Sequence, residues 1–168
     1  NAYCGNFASH AEAKAQAPAS LPSTYDVDAA GKLYRSRLKQ IFASDYPLIH
    51  WLSRLFAQGS TTVFDLGGHI GVSYYAFAKY LDYPATLRWR VHDVPSVMAA
   101  GREWAAREDR RGALSFCESR AEADGCDVFL ANGSLQYLDY TLAELLAGLS
   151  RPPANLLVSL TPMHPDRD

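Results

Sequence analysis

The chain has 168 residues, 48% of them hydrophobic and 20% charged, which is enough apolar material for one folded core and too much for a disordered tail. Sixteen Lys and Arg against eighteen Asp and Glu leave a formal charge of −2, so no bulk field favours nucleic acid or an anionic membrane. No run approaches the roughly 20 apolar residues of a membrane span, and no basic-then-apolar leader opens the chain. It reads as soluble and cytoplasmic, and Asn1 in place of a methionine reads as a processed or engineered start. Cys4, Cys117 and Cys126 lack metal-ligand spacing and read as free thiols, so no metal is expected.

Residues 1–59 read as a helical cap. A short Ala-rich helix spans Ser9 to Ala17, and a Pro- and Ser-containing loop runs from Pro18 to Tyr25. From Asp28, as a cap, to Phe42 the residues Tyr34, Leu38, Ile41 and Phe42 recur at helical spacing. Asp45-Tyr46-Pro47 has the form of a helix start, and Leu48, Trp51, Leu52, Leu55 and Phe56 then form an apolar stripe expected to face the core until Gly59. Residues 60–168 alternate strand and helix: strands at Thr61–Leu66, Leu87–Asp93, Ala113–Cys117, Asp127–Ala131 and Asn155–Leu160, and helices at Gly71–Leu81, Ser96–Arg107 and Leu142–Leu149, the last opened by a Thr141-to-Glu144 capping box. The expectation is an α/β, Rossmann-like, mainly parallel sheet of about five strands flanked by helices, with the first sixty residues packed onto it as one unit.

The informative segment is Val63-Phe64-Asp65-Leu66-Gly67-Gly68-His69-Ile70-Gly71, a strand that ends in an acid and turns through glycines into a helix. In an open parallel sheet, ligands bind beyond the carboxyl ends of the strands, where this turn sits. A dinucleotide fingerprint ending at Gly71 needs glycine at position 66, which is leucine. The alternative, acid-x-G-x-G-x-G, is met at Asp65, Gly67 and Gly71, with His69 at the middle glycine and Gly68 beside it to lend flexibility. Asp93 ends the next strand, 22 residues after Gly71, in Asp93-Val94-Pro95, where a carboxylate can accept both ribose hydroxyls of an adenosine cofactor.

With Asn132-Gly133-Ser134-Leu135-Gln136-Tyr137-Leu138 after the fourth strand, these motifs resemble the class I S-adenosylmethionine-dependent methyltransferases from about Thr61 to Pro162. The early Gly5-Asn6-Phe7, Glu12-Ala13, Tyr25-Asp26 and the closing Leu160-Thr161-Pro162 are similar to a bacterial methyltransferase family without an assigned acceptor. The resemblance implies S-adenosylmethionine as cofactor, held by Asp65, Gly67, Gly68, Gly71, Asp93, Val94, Asn132 and Gly133, and a small-molecule acceptor. It implies that Gln136 stands where several O-methyltransferases carry a histidine base, and an amide cannot take a proton.

His69, Tyr137 and Gln136 are the candidate acceptor-side residues, with Tyr74 and Tyr75 close to the strand ends. His92 reads as structural or surface, His164 as a terminal residue within reach of the site, and Arg102, Arg107, Arg110 and Arg111 as a solvated mixed-charge helix end. A nicotinamide-dependent oxidoreductase and a non-catalytic interaction module remain alternatives. Eight residues follow Leu160, whereas the resembled sheet continues through a further helix and an antiparallel pair. The expectation is therefore a C-terminally truncated sheet whose exposed edge is covered by a partner or a second copy.

Overall fold

A computed structural model of the chain describes residues 7–18, 26 and 35–162. Cys4, Gly5, Asn6, Tyr25, Asp28, Tyr34 and His164, together with the expected loop from residue 19 onward, lie outside the described residues. Helix α1 covers His10–Ala15 and is capped by Ser9, whose side chain accepts from the Glu12 amide. The helix expected to run to Phe42 is described only as a 3-10 turn, Arg35–Lys39, and Phe42 is extended at φ −116°.

Helix α2, Tyr46–Ala57, carries Pro47 in its first turn, as its sequence suggests. Leu48, Leu52, Leu55 and Phe56 are buried, and Ile49 joins them. Trp51 departs from the expected stripe: it is 52% exposed and lies edge-on to His50. Ile49 takes the inward place that the i, i+3 reading gave to the tryptophan.

The strands are β1 (Thr62–Leu66), β2 (Arg88–His92), β3 (Leu114–Phe116), β4 (Val128–Asn132) and β5 (Asn155–Ser159), and the helices between them are α3 (Val72–Phe77), α4 (Pro95–Glu108) and α5 (Leu142–Ala147). The five strands form one parallel sheet in the order β3-β2-β1-β4-β5. This is the α/β, Rossmann-like architecture expected. Helix α3 stops four residues short of Leu81, and α5 ends at Gly148 after the Thr141–Glu144 capping box.

Each face of the sheet has its own core. On one, Val63, Trp89, Val128 and Leu130 pack with Leu52 of α2 and Phe77 of α3; on the other, Phe64, Phe129 and Ala131 pack with Leu145 of α5. Asp127 fixes the start of β1 against β4, its Oδ2 accepting from the Thr61 and Thr62 amides and from the Thr62 hydroxyl at 2.8–2.9 Å. Strand β5 is an edge strand, and Leu156, Val158 and the following Leu160 are 42–50% exposed. No helix among the described residues is long and apolar enough to cross a membrane.

The chain leaves β1 toward β2 on one side and returns as β4 on the other. This reversal opens a crevice beyond the carboxyl ends of these strands, the position at which open parallel sheets bind ligands.

Candidate functional site

A cavity of about 890 Å³ occupies that crevice. Asp65, Gly67, Gly68 and His69 enter it from the end of β1, Asp93 and Val94 from β2, and Asn132, Gly133, Gln136 and Tyr137 from β4. Gly71 does not line it: its φ of +90° makes the left-handed entry to α3, and a side chain there would meet Leu114. Tyr74 and Tyr75 are also absent from the lining, and the Tyr74 hydroxyl donates to Asp109 Oδ1 at 2.7 Å.

The glycine turn is built for close approach. Gly67 has φ +71°, and a Cβ on it would stand 2.3 Å from Ser134 Cβ. Its amide donates to the His92 carbonyl at 2.8 Å, while the Ser134 hydroxyl donates to the Leu66 carbonyl at 2.6 Å, so the exits of β1, β2 and β4 are tied together. A Cβ on Gly68 would lie 2.4 Å from Asp65 Oδ2, so this glycine leaves open the space over the carboxylate. Gly68 is not left-handed; His69 itself takes φ +56°, a conformation that costs a non-glycine residue of order 1–2 kcal/mol.

Asp65 is 1% exposed. Its Oδ2 accepts from Trp89 Nε1 at 3.0 Å, while its Oδ1 has no hydrogen-bond partner among the described residues. Burial pushes its carboxyl up to about 7; the Trp89 bond works against this and the neighbouring Asp93 charge adds to it. Asp93 accepts from the His69 amide on Oδ2 and the Val94 amide on Oδ1, each at 2.8 Å. Its carboxyl is also raised by burial, despite those bonds and the nearby His69 and His92. Each oxygen of Asp93 retains a lone pair. The carboxylate thus joins two loops and can still accept hydroxyl donors.

Gln136 Nε2 donates to the Gly133 carbonyl at 2.9 Å, which closes the turn after β4. Tyr137 stands at the cavity wall and is 52% exposed. His92 Nδ1 lies 2.9 Å from the Cys117 carbonyl, a structural contact as expected, although His92 also reaches the lining. Cys117 and Cys126 are free and buried, and burial holds both thiols up at about 11.

The sequence reading missed Arg37, which lines the cavity, and misjudged Asp45. Asp45 makes no side-chain cap to α2. It is 2% exposed, accepts from the Phe42 amide at 2.8 Å and from Asn132 Nδ2 at 3.3 Å, and lies 3.8 Å from Arg37 Nη2. An acid just before a helix start was the available signal, but its partner Asn132 is 87 positions away.

No family model and no curated protein matches the chain. Solved structures do match. An O-methyltransferase family protein from Burkholderia thailandensis is 24% identical with a TM-score of 0.54, over 82% of this chain and 43% of that one. A phosphoethanolamine N-methyltransferase from Haemonchus contortus is 16% identical with a TM-score of 0.54, over 80% and 33%. A methyltransferase from Thiobacillus denitrificans, solved with S-adenosylhomocysteine, is 16% identical with a TM-score of 0.50, over 82% and 55%. The chain thus spans less than two thirds of each of these proteins. Its fold is that of the class I S-adenosylmethionine-dependent methyltransferases.

Proposed function

We propose that the chain forms the cofactor-binding part of an S-adenosylmethionine-dependent methyltransferase acting on a small molecule. The observation that carries this reading is the pairing of two acids, Asp65 and Asp93, across a glycine cradle at the strand ends of one cavity. The residues fit the cofactor's chemistry. The unpartnered Oδ1 of Asp65 is suited to the α-ammonium group, and the free lone pairs of Asp93 to the two ribose hydroxyls. Gly67 and Gly68 admit the methionine arm, Val94 offers an apolar wall to the purine, and Asn132 and Gly133 border the arm from β4.

The bound cofactor supplies an electrophilic methyl group on a sulfonium. What the protein contributes is alignment of the acceptor behind that methyl and exclusion of water. His69 and Tyr137 border the acceptor side and orient it, while Gln136 holds the loop through Gly133. An amide takes no proton, so the reading favours acceptors that need no base from Gln136. We place the protein in the cytoplasm, in keeping with the free buried thiols of Cys117 and Cys126. We also infer that a second copy covers β5, whose five residues carry no charge and leave Leu156 and Val158 exposed.

The strand order is shared with dinucleotide-binding folds, and an oxidoreductase is therefore the reading to test against. S-adenosylhomocysteine is expected to raise the melting temperature while NAD and NADP leave it unchanged. A shift with the dinucleotides and none with S-adenosylhomocysteine overturns the proposal. If the chain binds the cofactor but transfers no methyl across an acceptor panel, it is a non-catalytic module.

A further inference from the structure

Among the described residues lining the cavity, Arg37 carries the one permanent positive charge. Two contacts and the burial of its neighbour hold it in place. Its Nη2 lies 3.8 Å from Asp45 Oδ2, its guanidinium carbon sits 4.6 Å from the centre of the Phe42 ring, and Leu38 beside it is buried against Ile70 and Val97. Its Nε is buried and has no hydrogen-bond partner among the described residues, and the same holds for Asn132 Oδ1. Asp45 does not compete for what this arginine offers the cavity, because its two oxygens already face the Phe42 amide, Asn132 Nδ2 and Nη2. A guanidinium fixed on one side by an acid and a ring, with donors left over, is preorganised to receive a second carboxylate.

The position of this group relative to the acids identifies which carboxylate. Asp65 and Leu130 are register partners on adjacent parallel strands. Asn132 lies two residues beyond Leu130, on the same face and about 8 Å from Asp65 by strand geometry. Arg37 is tied to Asn132 through Asp45. An acidic residue, Asp65, and a basic one, Arg37, therefore border one cavity, with Asn132 and Asp45 between them.

We infer that Arg37, steadied by Asp45 and flanked by Asn132, receives the α-carboxylate of the cofactor's methionine arm while Asp65 faces its ammonium group. This rests on the methyltransferase reading above. It adds a binding residue from the segment before α2, outside every glycine or strand-end motif.

The test compares two ligands by calorimetry: S-adenosylhomocysteine, which has the amino-acid group, and 5′-methylthioadenosine, which lacks it. Arg37→Met is expected to weaken S-adenosylhomocysteine about 10- to 100-fold, the scale of a lost charge-assisted hydrogen bond, and to leave methylthioadenosine within about twofold. Retained methylthioadenosine binding also shows that the variant is folded. Because Arg37→Met strands a buried acid, the double variant Arg37→Met/Asp45→Asn is measured beside it and is expected to show the same selectivity. Equal weakening of both ligands, or no weakening of either, in the double variant overturns the inference. A wild-type chain that binds neither ligand overturns the methyltransferase reading itself, which is a different result from unselective loss in the variant.

Discussion

Asp65 is a carboxyl whose ionisation the fold opposes, and its replacement by asparagine gives a stability change with a defined sign and pH range. Its carboxyl is raised from 3.8 to about 7, chiefly by burial. The folded state therefore holds the proton more tightly than the unfolded chain does. The resulting stabilisation is complete below about 3.8, falls as pH rises to about 7, and is absent above that. A difference of about 3 units corresponds to roughly 4 kcal/mol at about 1.4 kcal/mol per unit. Asp65→Asn cannot ionise and keeps an oxygen for Trp89 Nε1, but it adds a buried NH₂ that needs an acceptor. The variant is expected to be more stable than wild type by about 2–4 kcal/mol at pH 8, and to lose that advantage by pH 4. Urea denaturation of both proteins from pH 4 to pH 9 measures this, because the other titrating groups cancel in the difference. A difference that does not change with pH refutes the reasoning. The same substitution should weaken S-adenosylhomocysteine, so that the more stable protein is the poorer binder, as expected where a strained charge serves a site.

Three further outcomes follow from the packing. Gly67→Ala places a Cβ 2.3 Å from Ser134 Cβ at a φ of +71°; thermal melting should show a loss of about 2 kcal/mol or more, and calorimetry a loss of cofactor binding. Leu52→Ala, at a side chain with no exposure, should cost about 2–5 kcal/mol in urea denaturation, whereas Trp51→Ala should stay within about 0.5 kcal/mol. The exposed β5 edge should give concentration-dependent association in light scattering, and Val158→Lys should reduce it; wild-type protein that stays monomeric at every concentration counts against this.

Asp65 and Asp93 were legible because local rules fix them. A β-branched run ending in an acid and a glycine is a strand followed by a turn, and the alternation of Trp89 and Val91 with Arg88 and Arg90 marks the next strand and its end. The parallel sheet followed from the same regular alternation of strand and helix, whereas its order β3-β2-β1-β4-β5 came only with the structure. Trp51 failed because a stripe at i, i+3, i+4 leaves the inward direction uncertain by about one residue, and Ile49 supplied the buried contact instead. Asp45 failed because aspartate before Tyr46-Pro47 has a local use as a cap to the helix that follows, whereas its carboxylate turns back to the Phe42 amide and out to Arg37 and Asn132. His69 is a third kind of miss. Its departure from the glycine pattern was visible, but only the backbone shows that the histidine takes the left-handed conformation itself. Gly71 fitted the motif by spacing, yet it serves the turn into α3 and packs at Leu114 rather than at the cavity.

The most direct measurement is calorimetric titration of S-adenosylhomocysteine into wild type, Asp93→Ala and Asp93→Asn. Binding to wild type is expected, weakened by at least about tenfold in Asp93→Ala, which removes the carboxylate proposed to accept the two ribose hydroxyls. Asp93→Asn, which keeps an oxygen for the His69 amide, should fall between the two. Undetectable binding to wild type, or equal affinity in all three proteins, contradicts the assignment of this cavity to S-adenosylmethionine.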